Sequence, residues 1–335
     1  MRIALTLVLV VAASCNGSSR SGSSTGSATG GGGSGSGARP SQPPPPPSRT
    51  PLAPKLLAAI GDALSSHDAK RYAALFAPDG ISRRVPLRDD VGRDAIAAGA
   101  QTLLDAFPDL RVGFARAWQV SDDTYVATWA WTGTNTGSLA GAKPTNRRAG
   151  TDGVAIATFT ADDQLRELDL LADGATVAAQ LSGSAPEGSF RAPPDVPSSI
   201  NVVAPLADDA DTLAAIKPLY VALDAKREAD VLAFFTEQSV FDDKTAPRSA
   251  IGITTAKNLF DGYLATFPDF TQLPLDHQWC VGGYVISAGT LRGTYKPANQ
   301  RVALHFVDII EAKSSKVAEL QTFSNSLELQ AQLSR

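Results

Sequence analysis

The four residues Phe107-Pro108-Asp109-Leu110 return 160 residues later as Phe267-Pro268-Asp269-Phe270. Each copy follows an apolar run with helical spacing and precedes a run that alternates like a strand. Proline lacks an amide donor and restricts the residue before it, so each copy marks a corner where a helix gives way to a strand. At the same offset Gly133-Thr134 answers Gly293-Thr294, and Trp118 answers Trp279 at an offset one residue longer. Register kept over so long a span means one structural unit used twice. A chain of 335 residues, 43% of them hydrophobic, is long enough to give each copy a core of its own.

In the first copy Leu56, Leu57, Ile60 and Leu64 share a helical face. Asp68 is placed to cap a second helix carrying Tyr72, Leu75 and Phe76, and Pro78-Asp79-Gly80 is expected to end it. Ile81 to Pro86 reads as a short edge strand, and Asp94 to Phe107 as a third helix. Four strand-like runs follow: 110–120, 124–136, 150–159 and 165–172. Leu110, Val112, Phe114 and Trp118 are expected on one face of the first run, and Tyr125, Trp129 and Trp131 on one face of the second. Residues 174–181 close as a short helix behind Asp173. Leu213-Ala214-Ala215-Ile216 echoes Leu57-Ala58-Ala59-Ile60, and the pattern then repeats to Gln332-Leu333, the counterpart of Gln180-Leu181. Helices followed by a long meander of strands give an α+β unit. The expected fold is two copies of a cone-like domain, three helices packed on a curved antiparallel sheet, at 55–182 and 211–335 with a Pro/Ser-rich linker at 183–210.

Residues 1–14 read as a secretory signal, because Arg2 precedes an apolar run too short to span a bilayer. Residues 15–54 read as a disordered tether: Gly/Ser-rich at first, then five consecutive prolines at 43–47, with a reach on the order of 35 Å. Ala12-Ala13-Ser14-Cys15 resembles the lipobox of bacterial lipoproteins. That resemblance implies lipidation of Cys15, a membrane contact through it, and a periplasmic or surface-facing place in the cell envelope, with the outer membrane favoured because Asn16 is not acidic. Cys280 beside Trp279 reads as a buried, inert thiol.

The net charge is −4 and the 30 Lys and Arg are scattered, which speaks against a nucleic-acid footprint. Three His far apart in sequence, without ligand spacing, imply no metal site, and no phosphate loop or cofactor motif appears. Trp129 and Trp131 need cover, either from the other copy's sheet in an internal pseudo-dimer or inside the first cone as ligand-lining residues. His305 and Asp308 share a strand three residues apart, so they point to opposite faces, and one of them lines the second cavity.

Both halves resemble SnoaL-like domains of the nuclear-transport-factor-2-like superfamily. In the first half the resemblance rests on His67-Asp68, Phe107-Pro108-Asp109, Thr132-Gly133-Thr134 with Gly137, Pro144-Thr145-Asn146-Arg147, and Asp173 before Gln180-Leu181. In the second it rests on Phe267-Pro268-Asp269, Arg292-Gly293-Thr294, Val307-Asp308-Ile309 and Gln332-Leu333. In SnoaL-type cyclases an acid near the end of the last strand does acid–base work, and the matching residue is Asp173. A helix-capping role competes for the same side chain. The family His five residues earlier falls on Leu168 and, in the second half, on Leu320; another falls on Asn135 and Tyr295. The resemblance therefore implies a small apolar ligand held in a cone, a cyclase or isomerase using Asp173, or a non-catalytic envelope interaction module.

Overall fold

The computed structural model describes residues 53–186 and 188–334. The expected signal segment, Cys15 and nearly all of the tether lie outside them. The first copy runs α1 (Ala53–Ser65), α2 (Ala69–Ala74), β1 (Phe76–Arg84), β2 (Asp90–Val91), α3 (Arg93–Ala106), β3 (Arg111–Gln119), β4 (Thr124–Thr134), β5 (Arg148–Phe159), β6 (Leu165–Ala172) and α4 (Gly174–Ser182). After β7 (Asn201–Val203), the second copy runs α5 (Asp209–Ile216), α6 (Pro218–Asp224), α7 (Glu228–Leu232), β8 (Val240–Asp243), β9 (Ala250–Ile251), α8 (Ile253–Thr266), β10 (His277–Val281), β11 (Tyr284–Tyr295), β12 (Gln300–Lys313), β13 (Lys316–Ser324) and α9 (Ser326–Leu333).

The two sheets have matching strand orders, β2-β1-β6-β5-β4-β3-β7 and β9-β8-β13-β12-β11-β10. The four long strands of each are antiparallel, whereas β1 joins β6, and β8 joins β13, in parallel. So the short strand expected at 81–86 is not an edge. It is the end of β1, which begins at Phe76, passes through Pro78-Asp79-Gly80 and shifts register between Phe76 and Ile81. The Pro-Asp-Gly set that reads as a helix stop is an irregularity inside a strand. In the second copy the strand that answers β3 is regular only from His277, with one isolated bridge from Thr271 to Arg292.

The repeated Phe-Pro-Asp corner has a clear physical role. Asp109 accepts the Thr134 backbone N–H at 2.5 Å and the Thr134 hydroxyl at 2.7 Å, and Asp269 accepts the same pair from Thr294 at 2.6 and 2.9 Å. Gly133 and Gly293 allow the close approach: a Cβ on the first would sit 3.1 Å from the Phe107 Cβ, and on the second 3.0 Å from the Phe270 Cα. The aspartate of the motif clamps the end of α3 or α8 to a hairpin.

Each cone has its own core. Leu57, Ile60, Tyr72, Phe76, Ile96 and Phe107 anchor the first; Tyr220, Phe235, Phe260, Phe267, Phe270 and Phe306 anchor the second. A third cluster lies between the sheets. Trp118, Val126, Val154 and Leu171 come from the first sheet; Val281, Ile286, Val307, Ile309 and Phe323 come from the second. Trp118 meets Tyr284 edge-on with ring centroids 5.4 Å apart, and the Arg116 guanidinium lies 4.9 Å above the same tyrosine ring.

Trp118 was expected on the face of Phe114, and it is not there. The pairing of β3 with β4 shifts register between Phe114 and Arg116. One extra residue turns every later side chain to the opposite face. Phe114 and Ala117 therefore point into the first cone, and Trp118 points at the other sheet. The converse holds for Tyr125, Trp129 and Trp131, which pack in the first cone and not between the sheets.

The segment expected as a bare linker is also structured. β7 extends the first sheet in parallel with β3, and Val203 reaches the inter-sheet cluster. Arg191 accepts from Gln180 of the first copy at 2.8 Å through its carbonyl and donates to Asp242 of the second at 2.7 Å.

Candidate functional site

The cavity lies in the second cone, and its volume is about 160 Å³. This is close to the ~150 Å³ of an engineered apolar cavity that stays dry and binds benzene. Its walls are phenyl rings and aliphatic side chains from α6, α7, α8 and the sheet, among them Phe235, Phe260, Phe267, Phe270, Leu291 and Ile310. Leu291 of β11 and the even-numbered positions 304, 306, 308 and 310 of β12 line it, as a period of two requires.

A polar cluster interrupts this lining. Asp308 on β12 is buried, with one oxygen accepting the Tyr220 hydroxyl at 2.9 Å and the other the Thr322 hydroxyl at 2.8 Å. Ser287 stands opposite Asp308 on β11 and accepts from the Gln278 amide at 3.0 Å. Burial pushes the Asp308 carboxyl up to about 6; the Thr322 and Tyr220 hydroxyls pull it down, and the nearby charge of Asp243 adds to the rise. Burial, and then the charge of Asp308, raise the Tyr220 hydroxyl well above its ordinary value. Two further polar groups in the wall have no hydrogen-bond partner among the described residues. The Gln272 Oε1 is buried without a hydrogen bond, and no hydrogen bond involves the Tyr263 hydroxyl.

The first cone shows what this cluster replaces. Strand register puts Ala127, Ala155 and Leu170 where the second cone has Ser287, Asp308 and Thr322. It also puts Trp131 at the place of Leu291. Trp131 is 7% exposed and packs on Phe107 with ring centroids 5.0 Å apart. Trp129 faces Gly153 across β4 and β5, whereas its counterpart Gly289 faces Phe306. A Cβ on Gly153 would come within 2.5 Å of the Trp129 ring, so the large residue changes strand between the copies. Trp129 and Trp131 thus fill the first cone, and no residue of that cone joins the cavity described above.

Asp173 is engaged elsewhere. It caps α4 by accepting from the Thr176 N–H at 3.0 Å and the Thr176 hydroxyl at 2.7 Å. It also accepts the Ser326 N–H at the start of α9 in the other copy, at 2.9 Å. Asn325 returns the exchange, accepting Leu327 N–H of its own helix and Gly174 N–H of the other copy, both at 3.1 Å. Each helix start is capped by both copies. Asp173 does not border the cavity. The acid–base position that the family pattern suggested is therefore a helix cap at the junction of the two copies.

His305 borders the cavity, but its ring belongs to a separate pair. Its Nδ1 lies 2.6 Å from the buried Glu328, whose hydrogen bond raises the imidazole's affinity for protons. Cys280 is half-buried, with its thiol pushed up to about 12 by burial and by Asp209, so it is a poor nucleophile. Among the described residues no three His, Cys, Asp or Glu side chains converge as a metal site.

Comparison with family models settles the kinship. The SnoaL-like polyketide cyclase model matches residues 55–181, and the SnoaL-like domain model matches 216–320. The chain is a tandem of two SnoaL-like domains. A search of curated proteins finds no match. Among solved structures, a protein from Jannaschia sp. CCS1, described provisionally as a SnoaL-like polyketide cyclase, shares 21% identity. It aligns over 42% of this chain and 99% of its own, with a TM-score of 0.37. An NTF2-like protein from Burkholderia xenovorans LB400 shares 16% identity over 37% of this chain and 97% of its own, with a TM-score of 0.33.

Sequence reading reached Asp308 but missed Tyr220, Ser287, Thr322, Tyr263 and Gln272. One signal was available. Laid on the first SnoaL-like domain by strand register, the second carries hydroxyls and a carboxylate at three neighbouring positions that are apolar in its twin.

Proposed function

We propose that the second SnoaL-like domain binds a small, largely apolar molecule, and that the first is its filled structural partner. The observation that supports this most directly is the 160 Å³ cavity with Asp308 and Tyr220 in its largely apolar wall. Pockets for drug-sized ligands run to roughly 300–1,000 Å³, so the ligand should be nearer one ring in size. The first domain suggests the test, because Trp131 stands where Leu291 lines the cavity. Leu291→Trp should fill the space and abolish uptake of toluene, measured by titration calorimetry, while the wild-type chain binds it. Toluene binding equally well to both proteins would remove the cavity from consideration.

A second reading has Asp308, not Asp173, as the acid–base group of a cyclase or isomerase. What favours it is a carboxyl with a proton affinity near neutrality in the cavity wall, hydrogen-bonded to a tyrosine. The two domains act, in this proposal, as an internal pseudo-dimer through the cluster around Trp118 and Ile286. The chain works on the outer side of a bacterial membrane, held by lipid on Cys15. Metabolic labelling with a fatty acid should mark the wild type and leave Cys15→Ser unlabelled; equal labelling would remove the anchor from the proposal.

A further inference from the structure

The second cone has a bias of charge that its apolar walls do not require. Two carboxylates border it, Asp308 and Asp243, together with the unpartnered amide oxygen of Gln272. No Lys or Arg side chain borders it among the described residues. His305 does, but that ring is tied to Glu328 on α9, which supplies its own counter-charge. Lys226 lies over the Phe270 ring outside the lining, with its ammonium on the backbone carbonyls of Leu223, Asp224 and Phe270. Neighbouring Asp242 shows the usual solution for a buried acid: it has Arg191 at 2.7 Å and Lys244 at 2.5 Å. Among the described residues Asp308 and Asp243 have no such cation. Asp308 holds two neutral hydroxyls, and Asp243 holds the N–H and hydroxyl of Thr245 at 2.9 and 2.8 Å.

A buried carboxylate without a cation is costly, and the cost falls when one arrives. The same cavity presents the faces and edges of Phe235, Phe241, Phe260, Phe267 and Phe270 and of two tyrosines. Aromatic rings attract a cation by their quadrupole and also cover its alkyl or aryl substituents. We infer that the molecule taken by the second cone is a small organic ammonium ion, its charge set against Asp308 and Asp243 and its apolar part against the phenyl rings. This rests on the reading of that cone as a binding site. The first cone, with Ala155 at the place of Asp308, has no counterpart to it.

The test compares benzylammonium with the near-isosteric, neutral benzyl alcohol and with toluene. Each is titrated into the full-length chain at pH 8, where Asp308 is ionised. Benzylammonium should bind at least about tenfold tighter than benzyl alcohol. In Asp308→Asn that preference should vanish while benzyl alcohol still binds. If that variant does not fold, the wild type at pH 5 serves instead. There Asp308, with its carboxyl at about 6, is mostly protonated, and benzylammonium should weaken about tenfold while toluene is unchanged. Asp243, Tyr220, Tyr263 and His305, the last paired with Glu328, face the same space; the two tyrosines stay neutral across this range, and His305, whose proton affinity Glu328 raises, can only add positive charge at the lower pH, which works in the same direction. Equal or tighter binding of the neutral probes at pH 8 would overturn the ammonium inference and leave the cavity reading standing. Failure of all three probes to bind would overturn both.

Discussion

Replacing Trp118 by alanine will cost the folded chain about 3–5 kcal/mol. The side chain is 1% exposed and is the largest residue of the cluster between the sheets. Removing it deletes its packing on Tyr284 and leaves a void that two rigid sheets cannot close. The loss also falls on what joins the two SnoaL-like domains, so unfolding in denaturant should broaden or split into two steps. Trp118→Phe should cost about 1 kcal/mol or less. Its ring keeps the edge-on contact, and the change discards an indole N–H that is buried without a partner. A loss below about 1 kcal/mol for Trp118→Ala would mean that the cluster does not couple the domains.

Asp308 gives the second large effect, and its sign is opposite to the usual carboxylate. Its folded-state affinity for protons is raised to about 6, above the ordinary value near 3.8. The stability it contributes is fully present below about pH 4 and is lost as pH rises through about 6. Two pH units correspond to about 3 kcal/mol. Asp109, Asp123, Glu167, Asp209, Asp242 and Asp269 are all shifted downward and act in the other sense, losing stability as the solution turns acid. The measurement is therefore a difference. Unfolding free energies of wild type and Asp308→Asn, taken from pH 4 to pH 7.5, should converge or cross in favour of the variant by about 3 kcal/mol. A flat difference would mean that Asp308 is hydrated in the cone.

Much of the fold is legible because the chain repeats itself. The Phe-Pro-Asp corner and its Gly-Thr partner stand at a fixed offset, and the helices of both copies carry their apolar face at helical spacing. Other features leave no trace in one dimension. A single extra residue near Ala115 sends Trp118 to one side of the sheet and Phe114 to the other, and nothing in composition marks it. Asp173 reads as a cap from its own neighbours, but its hold on Ser326 requires the second domain to be in place. Asp308 is visible as an acid in a strand. Its meaning depends on Tyr220, 88 residues away on a helix, and only the folded cone brings the two together.

The exchange of caps at the starts of α4 and α9 has a consequence for how such a pair evolves. Two separate, identical subunits would be obliged to carry the same residue at both places. Two aspartates would set like charges against each other, and two asparagines would give up the stronger, charged acceptor at both helix ends. A chain that holds both partners escapes the choice, with Asp173 on one side and Asn325 on the other. Carrying both copies in one chain lets the two caps at their junction change independently of each other.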